Sequence, residues 1–369
     1  MKPAPFSPRT IFIATLTFLV TLSVIGWGLW SFAAVQYRHV IDGWITEGRA
    51  AGYQISYDDR TLFGFPRHIT MRFVNLRWKN ADGIAFRADD MDLAVTPWNW
   101  RQFTAKFKHN VSVTAPLDTE GHALLVSCDA GQAHVLLDQE GFWKSAHLAL
   151  DKAQVGLAPS YLFTADELHA AVEKPLIPPK DHSESGLSLE GDAEDITLPE
   201  AMPTPFGKHA DTISASMRVM GAVPDVRKRA DVDAWNKASG VVEFDDLSIH
   251  WGKLDIVSKG TLGFDDDLQP EGAFAGQVAD PKDTMQTLID QGFIAMHDQD
   301  MLKAVMEMFA KPPAGKDAKA AAMQLPITVQ LGGLFLGPIR IFTFPEIDWP
   351  VEPPAATAAP ATPTPPPAT

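Results

Sequence analysis

From Thr10 to Tyr37 the chain runs 28 residues without a charge, closed by Arg9 before and Arg38 after. At ~1.5 Å per residue a helix of that length outreaches a ~30 Å hydrocarbon layer, so residues 10–37 read as a transmembrane anchor. Trp27, Trp30 and Tyr37 lie in its second half, where amphipathic rings suit a membrane interface. Val40 to Ala51 then predicts a short helix carrying Ile41, Trp44 and Ile45, stopped by Gly52. After it the period of the apolar positions changes to two. Ile69, Met71 and Phe73 alternate with polar residues, and beyond Val74 the apolar set moves to Leu76 and Trp78, a parity change that predicts a bulge or register switch.

The same alternation recurs in Ile213-Ser214-Ala215-Ser216-Met217-Arg218-Val219 and at Leu254, Ile256, Leu262 and Phe264. Shorter runs at Met91–Val95, Phe103–Val113, Ala123–Val126, Ala133–Leu137, Ala146–Leu150, Val241–Trp251 and Ile327–Leu331 bring the expectation to about ten or more strands, separated by Gly, Asp and Pro. Antiparallel hairpins with one apolar and one polar face follow. A soluble helix is expected near 281–311: Asp280-Pro281 supplies an N-cap and first-turn proline, and Met285, Leu288, Ile289, Phe293 and Met296 recur at helical spacing. A second apolar set runs from Met301 to Phe309 beyond His297-Asp298-Gln299-Asp300. The expected fold is therefore mainly β (α+β): an N-terminal transmembrane helix, then a long antiparallel, curled sheet with an amphipathic helix of the C-terminal half packed on it.

The pattern divides the chain into a cytoplasmic N-terminus (1–9), the anchor (10–37), a first β-rich part (38–173), a Pro-containing linker or exposed loop (174–186), a second β-rich part (187–352) and a disordered Pro/Ala/Thr-rich tail (353–369). Lys2 and Arg9 precede the anchor and all 46 acidic residues follow it, so the positive-inside tendency keeps the N-terminus in the cytoplasm and exports the rest. Ser31-Phe32-Ala33-Ala34 offers a signal peptidase its small residues, but the apolar stretch is longer than the ~7–15 residues of a signal core, which favours retention. A net charge of −15 argues against nucleic acid as a partner. It also means that contact with anionic lipid must come from an apolar surface rather than from overall charge.

One cysteine, Cys128, excludes an intramolecular disulfide and any multi-thiolate metal site. No phosphate-binding glycine loop, nucleophile elbow or paired-histidine metal helix occurs. His297-Asp298-Gln299-Asp300 and Asp265-Asp266-Asp267 have oxygen-ligand character but read more simply as a polar loop and a solvated acidic turn. No catalytic residue, metal or cofactor is assigned, and an enzyme is not expected.

Arg49-Ala50-Ala51-Gly52-Tyr53, Phe63-Gly64-Phe65-Pro66-Arg67 and Asp92-Leu93-Ala94-Val95-Thr96-Pro97-Trp98, then Leu331-Gly332-Gly333-Leu334-Phe335-Leu336-Gly337-Pro338-Ile339 and Phe344-Pro345, resemble in their order an uncharacterised Gram-negative envelope family, the domain of unknown function 2125. That family is similar in architecture to AsmA-like proteins, which are anchored in the inner membrane and carry a periplasmic curled sheet whose apolar groove is implicated in handling phospholipid. The resemblance implies a single-pass inner-membrane protein with a periplasmic domain that binds lipid acyl chains on an apolar sheet face. Alternation names Ile213, Met217, Leu254, Ile256, Leu262 and Phe264 as lipid-facing candidates. The alternative is a non-catalytic envelope scaffold or adaptor that captures a protein partner through the Pro-rich tail.

Overall fold

The computed structural model describes residues 8–116, 123–158, 161–200, 204–226, 228–294, 323–336, 339–343, 346–347 and 349. The second apolar set of the C-terminal half (Met301 to Phe309), the His297–Asp300 run and the tail from 353 lie outside the described residues. From the third strand onward each strand is hydrogen-bonded to its successor in sequence, and the sheet is not closed. The chain divides into two compact units, Met1–Glu173 with Leu189–Ser214 and His250–Gly252, and Lys174–Ser188 with Ala215–Ile249 and Lys253–Thr369.

The first unit opens with helix α1 (Pro8–Ala50). The anchor and the short helix expected after it are thus one unbroken 43-residue rod. Gly52, at φ 88°, ends it: Tyr53 N–H reaches Gly48 O and Gly52 N–H reaches Arg49 O, which satisfies carbonyls of the last turn. Then follow β1 (Gln54–Ser56), β2 (Asp59–Phe63), β3 (Ile69–Lys79), β4 (Ala85–Thr96), β5 (Asn99–Pro116), β6 (Ala123–Leu137), β7 (Trp143–Ala158) and β8 (Tyr161–Glu173). β9 (Ser185–Thr197), β10 (His209–Met220) and β11 (Val242–Trp251) each contribute residues to both units. The pairings from β3 to β8 are all antiparallel.

A crease crosses these strands. Asn75 on β3, His109 and Asn110 on β5, Lys152 on β7 and Asp195 on β9 all have φ between 48° and 59°. The register shifts between Arg87 and Asp90 on β4 and between Lys108 and Val111 on β5. A strand step of three normally turns a side chain to the other face, yet Phe73 and Leu76 belong to one cluster, and Ala88 with Met91 and Leu150 with Ala153 to another. On β3 and β7 a left-handed residue lies within the odd step, and on β4 a register shift does, so one apolar face continues through the crease. Polar groups occupy the line itself: Asn75 Nδ2 donates to Asp58 Oδ2 and Asn110 Nδ2 to Asp89 Oδ2, both at 2.6 Å. The parity change after Val74 is this crease. It also makes a single β6 of the two runs expected at 123–126 and 133–137, which flank Cys128-Asp129.

In the second unit, α2 (Arg229–Lys237) buries Val232 and Trp235, and Trp235 Nε1 donates to Met220 O at 2.9 Å. β12 (Leu254–Phe264) pairs with β13 (Pro270–Ala279) without a register shift. α3 (Pro281–Asp290) buries Thr284, Met285 and Leu288, and β14 (Met323–Gln330), β15 (Gly333–Leu336) and β16 (Ile339–Thr343) complete the unit. Two expectations for the helix near 281–311 change. Asp280 sits left-handed at φ 48° and its side chain makes no capping bond. The helix stops at Asp290, because Gly292, at φ 76°, turns the chain and Phe293 N–H reaches back to Leu288 O. The Asp265–Asp267 run is a hairpin turn whose Asp265 Oδ1 accepts from the N–H groups of Asp267 and Gln269.

Candidate functional site

α1 changes environment along its length. Phe12, Leu16, Leu19, Leu22, Trp27 and Leu29 are exposed. Thr17 and Ser23 return their hydroxyls to the carbonyls four residues back, which satisfies both groups within the helix. From Trp30 onward one stripe, Trp30, Ala33, Ala34, Tyr37, Ile41 and Ile45, packs on the sheet against Ile69, Met71, Phe73 and Val95. Its spacing of three and four places these side chains on one helix face. Tyr37 is fully buried and its Oη donates to Leu93 O at 3.0 Å. The Asp42–Arg60 ion pair ties the same helix to β2.

A straight rod meets a twisted sheet along a narrow contact, and space remains beside it. One cleft of about 700 Å³ lies between Leu29, Ala33 and Gln36 on the helix and, on the sheet side, Pro66 and Trp98 in the connections and Trp100 on β5. Another, also of about 700 Å³, is walled by Trp44 and Ile45 and by Leu76, Phe86, Met91 and Leu93. Both sizes fall in the range of small-molecule sites, and the walls are almost wholly hydrocarbon. Gln36 in one and Glu47 in the other are the polar exceptions on the helix side. Such walls bind by excluding water from apolar surface.

The opposite character appears at strand positions facing away from that packing. His134 and His147 are cross-strand neighbours, and His134 Nδ1 lies 3.0 Å from Thr104 Oγ1. His169 Nδ1 lies 2.9 Å from Asp192 Oδ2, and this hydrogen bond raises the imidazole above the usual histidine range. These residues border a shallow depression of about 310 Å³. Among the described residues no group of three His, Cys, Asp or Glu is arranged to hold a metal ion. Cys128 is buried, and desolvation pushes its thiol up to about 11, where it stays protonated and unreactive at neutral pH.

The residues named from alternation fall elsewhere than the clefts. Ile213 packs in the first unit against a cluster of Ala165, Ile196, Leu198 and Ala210. Met217 is half-buried on β10. Leu254, Ile256, Leu262 and Phe264 share one face of β12, since its register is unbroken. On that face Ile256 is 9% exposed, and Phe264 is held edge-on between Trp235 and Trp349. The cleft residues Met91, Leu93, Phe86 and Trp98 went unassigned as a site. The signal that points to them is the apolar stripe of α1, which continues at helical spacing through Tyr37, Ile41 and Ile45 beyond the length a membrane requires.

A profile of the family described as "Uncharacterized protein conserved in bacteria (DUF2125)" matches residues 30–345. The match begins at Trp30, the first stripe residue of α1 packed on the sheet. No curated protein and no solved structure matches the chain.

Proposed function

The chain belongs to this uncharacterised bacterial family, and from its structure we propose that it is a single-pass inner-membrane protein whose periplasmic sheet binds lipid acyl chains beside α1. One observation carries the reading: the apolar helix able to cross a membrane continues without a break into the wall of two apolar clefts. A lipid leaving the bilayer alongside α1 would stay in contact with hydrocarbon throughout. Retention of the anchor is supported by the burial of Trp30, Ala33 and Ala34 against the sheet, packing that cleavage at Ser31–Ala34 would remove. The basic residues Lys2 and Arg9 support a cytoplasmic N-terminus. The role is binding and carriage without turnover.

The test uses the full chain in lipid nanodiscs containing phosphatidylethanolamine with a photoactivatable group midway along one acyl chain. Crosslinks are expected on peptides containing Phe86, Met91 and Leu93, and they should fall several-fold in Met91→Trp, whose ring fills the cleft. Crosslinks confined to residues 12–29 would mean that lipid only surrounds the anchor, and the reading would fail.

A further inference from the structure

The end of the first unit from which α1 emerges has the chemistry of a membrane-docking rim. Antiparallel pairing sends the β2–β3, β4–β5 and β6–β7 connections to the same end of the sheet, while the β3–β4 connection lies at the other. Large apolar side chains project from all three: Phe63 and Phe65, then Trp98, then Phe142. Trp98 is 72% exposed and Phe142 69%. The β3–β4 connection, Asn80-Ala81-Asp82-Gly83-Ile84, presents no large exposed apolar residue. An aromatic ring this open forgoes most of its burial free energy in water, so its position calls for an apolar neighbour.

That neighbour is identified by continuity with α1. Trp30 Nε1 donates to His68 O at 2.9 Å and its ring meets Phe65 edge-on at 5.7 Å, fixing the β2–β3 loop at the level of helix residue 30. Gly26 and Leu29 border the same cleft as Pro66 and Trp98, so the second loop lies at that level too. From Phe12 to Leu29 the described side chains of α1 are exposed all round the helix, about 27 Å and close to one hydrocarbon thickness, and from Trp30 one face is covered by the sheet while Phe32 and Val35 stay exposed on the other. The point at which the sheet begins to cover the helix therefore falls where the loop tips are. Cationic groups flank them: Arg67 and Arg101 are exposed, and neither Phe63–His68 nor Thr96–Arg101 contains an acidic residue. In the β6–β7 turn Asp138 Oδ1 accepts the N–H groups of Glu140 and Phe142, which spends that carboxylate within the turn and leaves the ring outward.

We propose that these loop tips enter the interfacial layer of the bilayer that α1 crosses: Phe65 and Trp98 insert their rings, and Arg67 and Arg101 bind lipid phosphates. The inference rests on the membrane-anchored reading of α1. Aromatic rings prefer this layer, and guanidinium groups pair with phosphate there. The first cleft then opens at the membrane surface, next to the hydrocarbon layer whose acyl chains it would receive. Phe142, beside an exposed Glu140, sits shallower than Trp98.

The experiment uses the full chain with Cys128→Ala, reconstituted in phosphatidylcholine vesicles with one quarter phosphatidylglycerol. A nitroxide label is placed singly at Trp98→Cys, Phe142→Cys or, as a reference at the opposite end, Asp82→Cys. Collision rates with oxygen and with a water-soluble nickel chelate report depth. The oxygen-to-nickel ratio should be several-fold higher at 98 than at 82, with 142 between them, and Arg67→Glu combined with Arg101→Glu should lower the value at 98. Equal ratios at 98 and 82 in a chain that remains with the vesicles would overturn the docking rim and leave the anchor intact. A label at 98 shielded from both reagents would assign the tips to a protein surface instead, which also overturns the proposal. A chain released from the vesicles would refute the anchored reading and the rim with it.

Discussion

The two units cover the apolar faces of their strands differently. In the first, one long helix lies across β3, β4 and β5, anchored by Tyr37 and by aromatic contacts from Trp44 to Phe103 and from Tyr37 to Trp100, and apolar clefts remain beside it. In the second, the short α2 brings Trp235 edge-on to Phe264, and Trp349 meets the same ring from another side, its Nε1 donating to Leu268 O. A short helix settles over a patch and fills it, whereas a 43-residue helix has one continuous axis and cannot follow the sheet's twist along its length. Covering a sheet with one long helix therefore leaves hydrocarbon-lined space beside it.

The sharpest way to break this comparison is to remove the keystone of each cover. Tyr37→Ala and Trp235→Ala should each cost about 3–5 kcal/mol, as large aromatic truncations in cores do. Limited proteolysis read by mass spectrometry should place new cuts in β3–β5 for the first and in β11–β13 for the second. Cuts throughout the chain in both variants would show that the units do not stand apart energetically.

Adding volume discriminates more finely. Met91→Trp fills a cleft and should change stability by less than about 1 kcal/mol, whereas Ile256→Trp overpacks a filled face and should cost about 1–3 kcal/mol. Denaturant midpoints of the two variants measure the difference, and equal losses would mean that the space beside α1 is not available to a ligand. A smaller effect probes the crease: Asn75→Val forces a β-branched residue into a left-handed site and should lose about 1–2 kcal/mol, while Asn75→Gly should change little.

The smallest expected effect is a pH dependence on the polar side. The folded His169 imidazole is held above its ordinary value of 6.5 by Asp192. Its stabilising contribution is therefore complete below that ordinary value and disappears as pH rises through the higher folded one. Melting temperatures compared across that window should fall in the native chain relative to Asp192→Asn, in which the raised value is lost. The pair is exposed, so the difference should be small.

Much of this organisation is legible locally. The uncharged run from Thr10, the stop at Gly52, and the alternation in β3, β10 and β12 each depend on side chains a few residues apart. The end of α3 was misread for a physical reason: Phe293 preserves the apolar spacing, but Gly292 next to it favours the left-handed turn that ends the helix. The crease was visible at Val74 alone. Its extension across β5, β7 and β9 involves polar pairs such as His109-Asn110 and Asp151-Lys152, which resemble ordinary loop residues until the register places them in line.

The candidate site was less legible. Alternation shows which residues share a face, and it identified Leu254, Ile256, Leu262 and Phe264 as one set. It carries no information on whether a helix seals that face or leaves room beside it. By itself the sequence determined the membrane-length helix, the β-rich body and the parity of its strands, because these arise from short-range sterics and the spacing of apolar groups. Only the tertiary structure decided that α1 runs on from its membrane-length stretch onto the sheet, that Trp98 and Phe142 project from one end, and that Phe264 is packed while Met91 borders open space. Those outcomes depend on contacts between residues far apart in the chain, such as Tyr37 with Leu93 and Trp30 with His68, which no local pattern encodes.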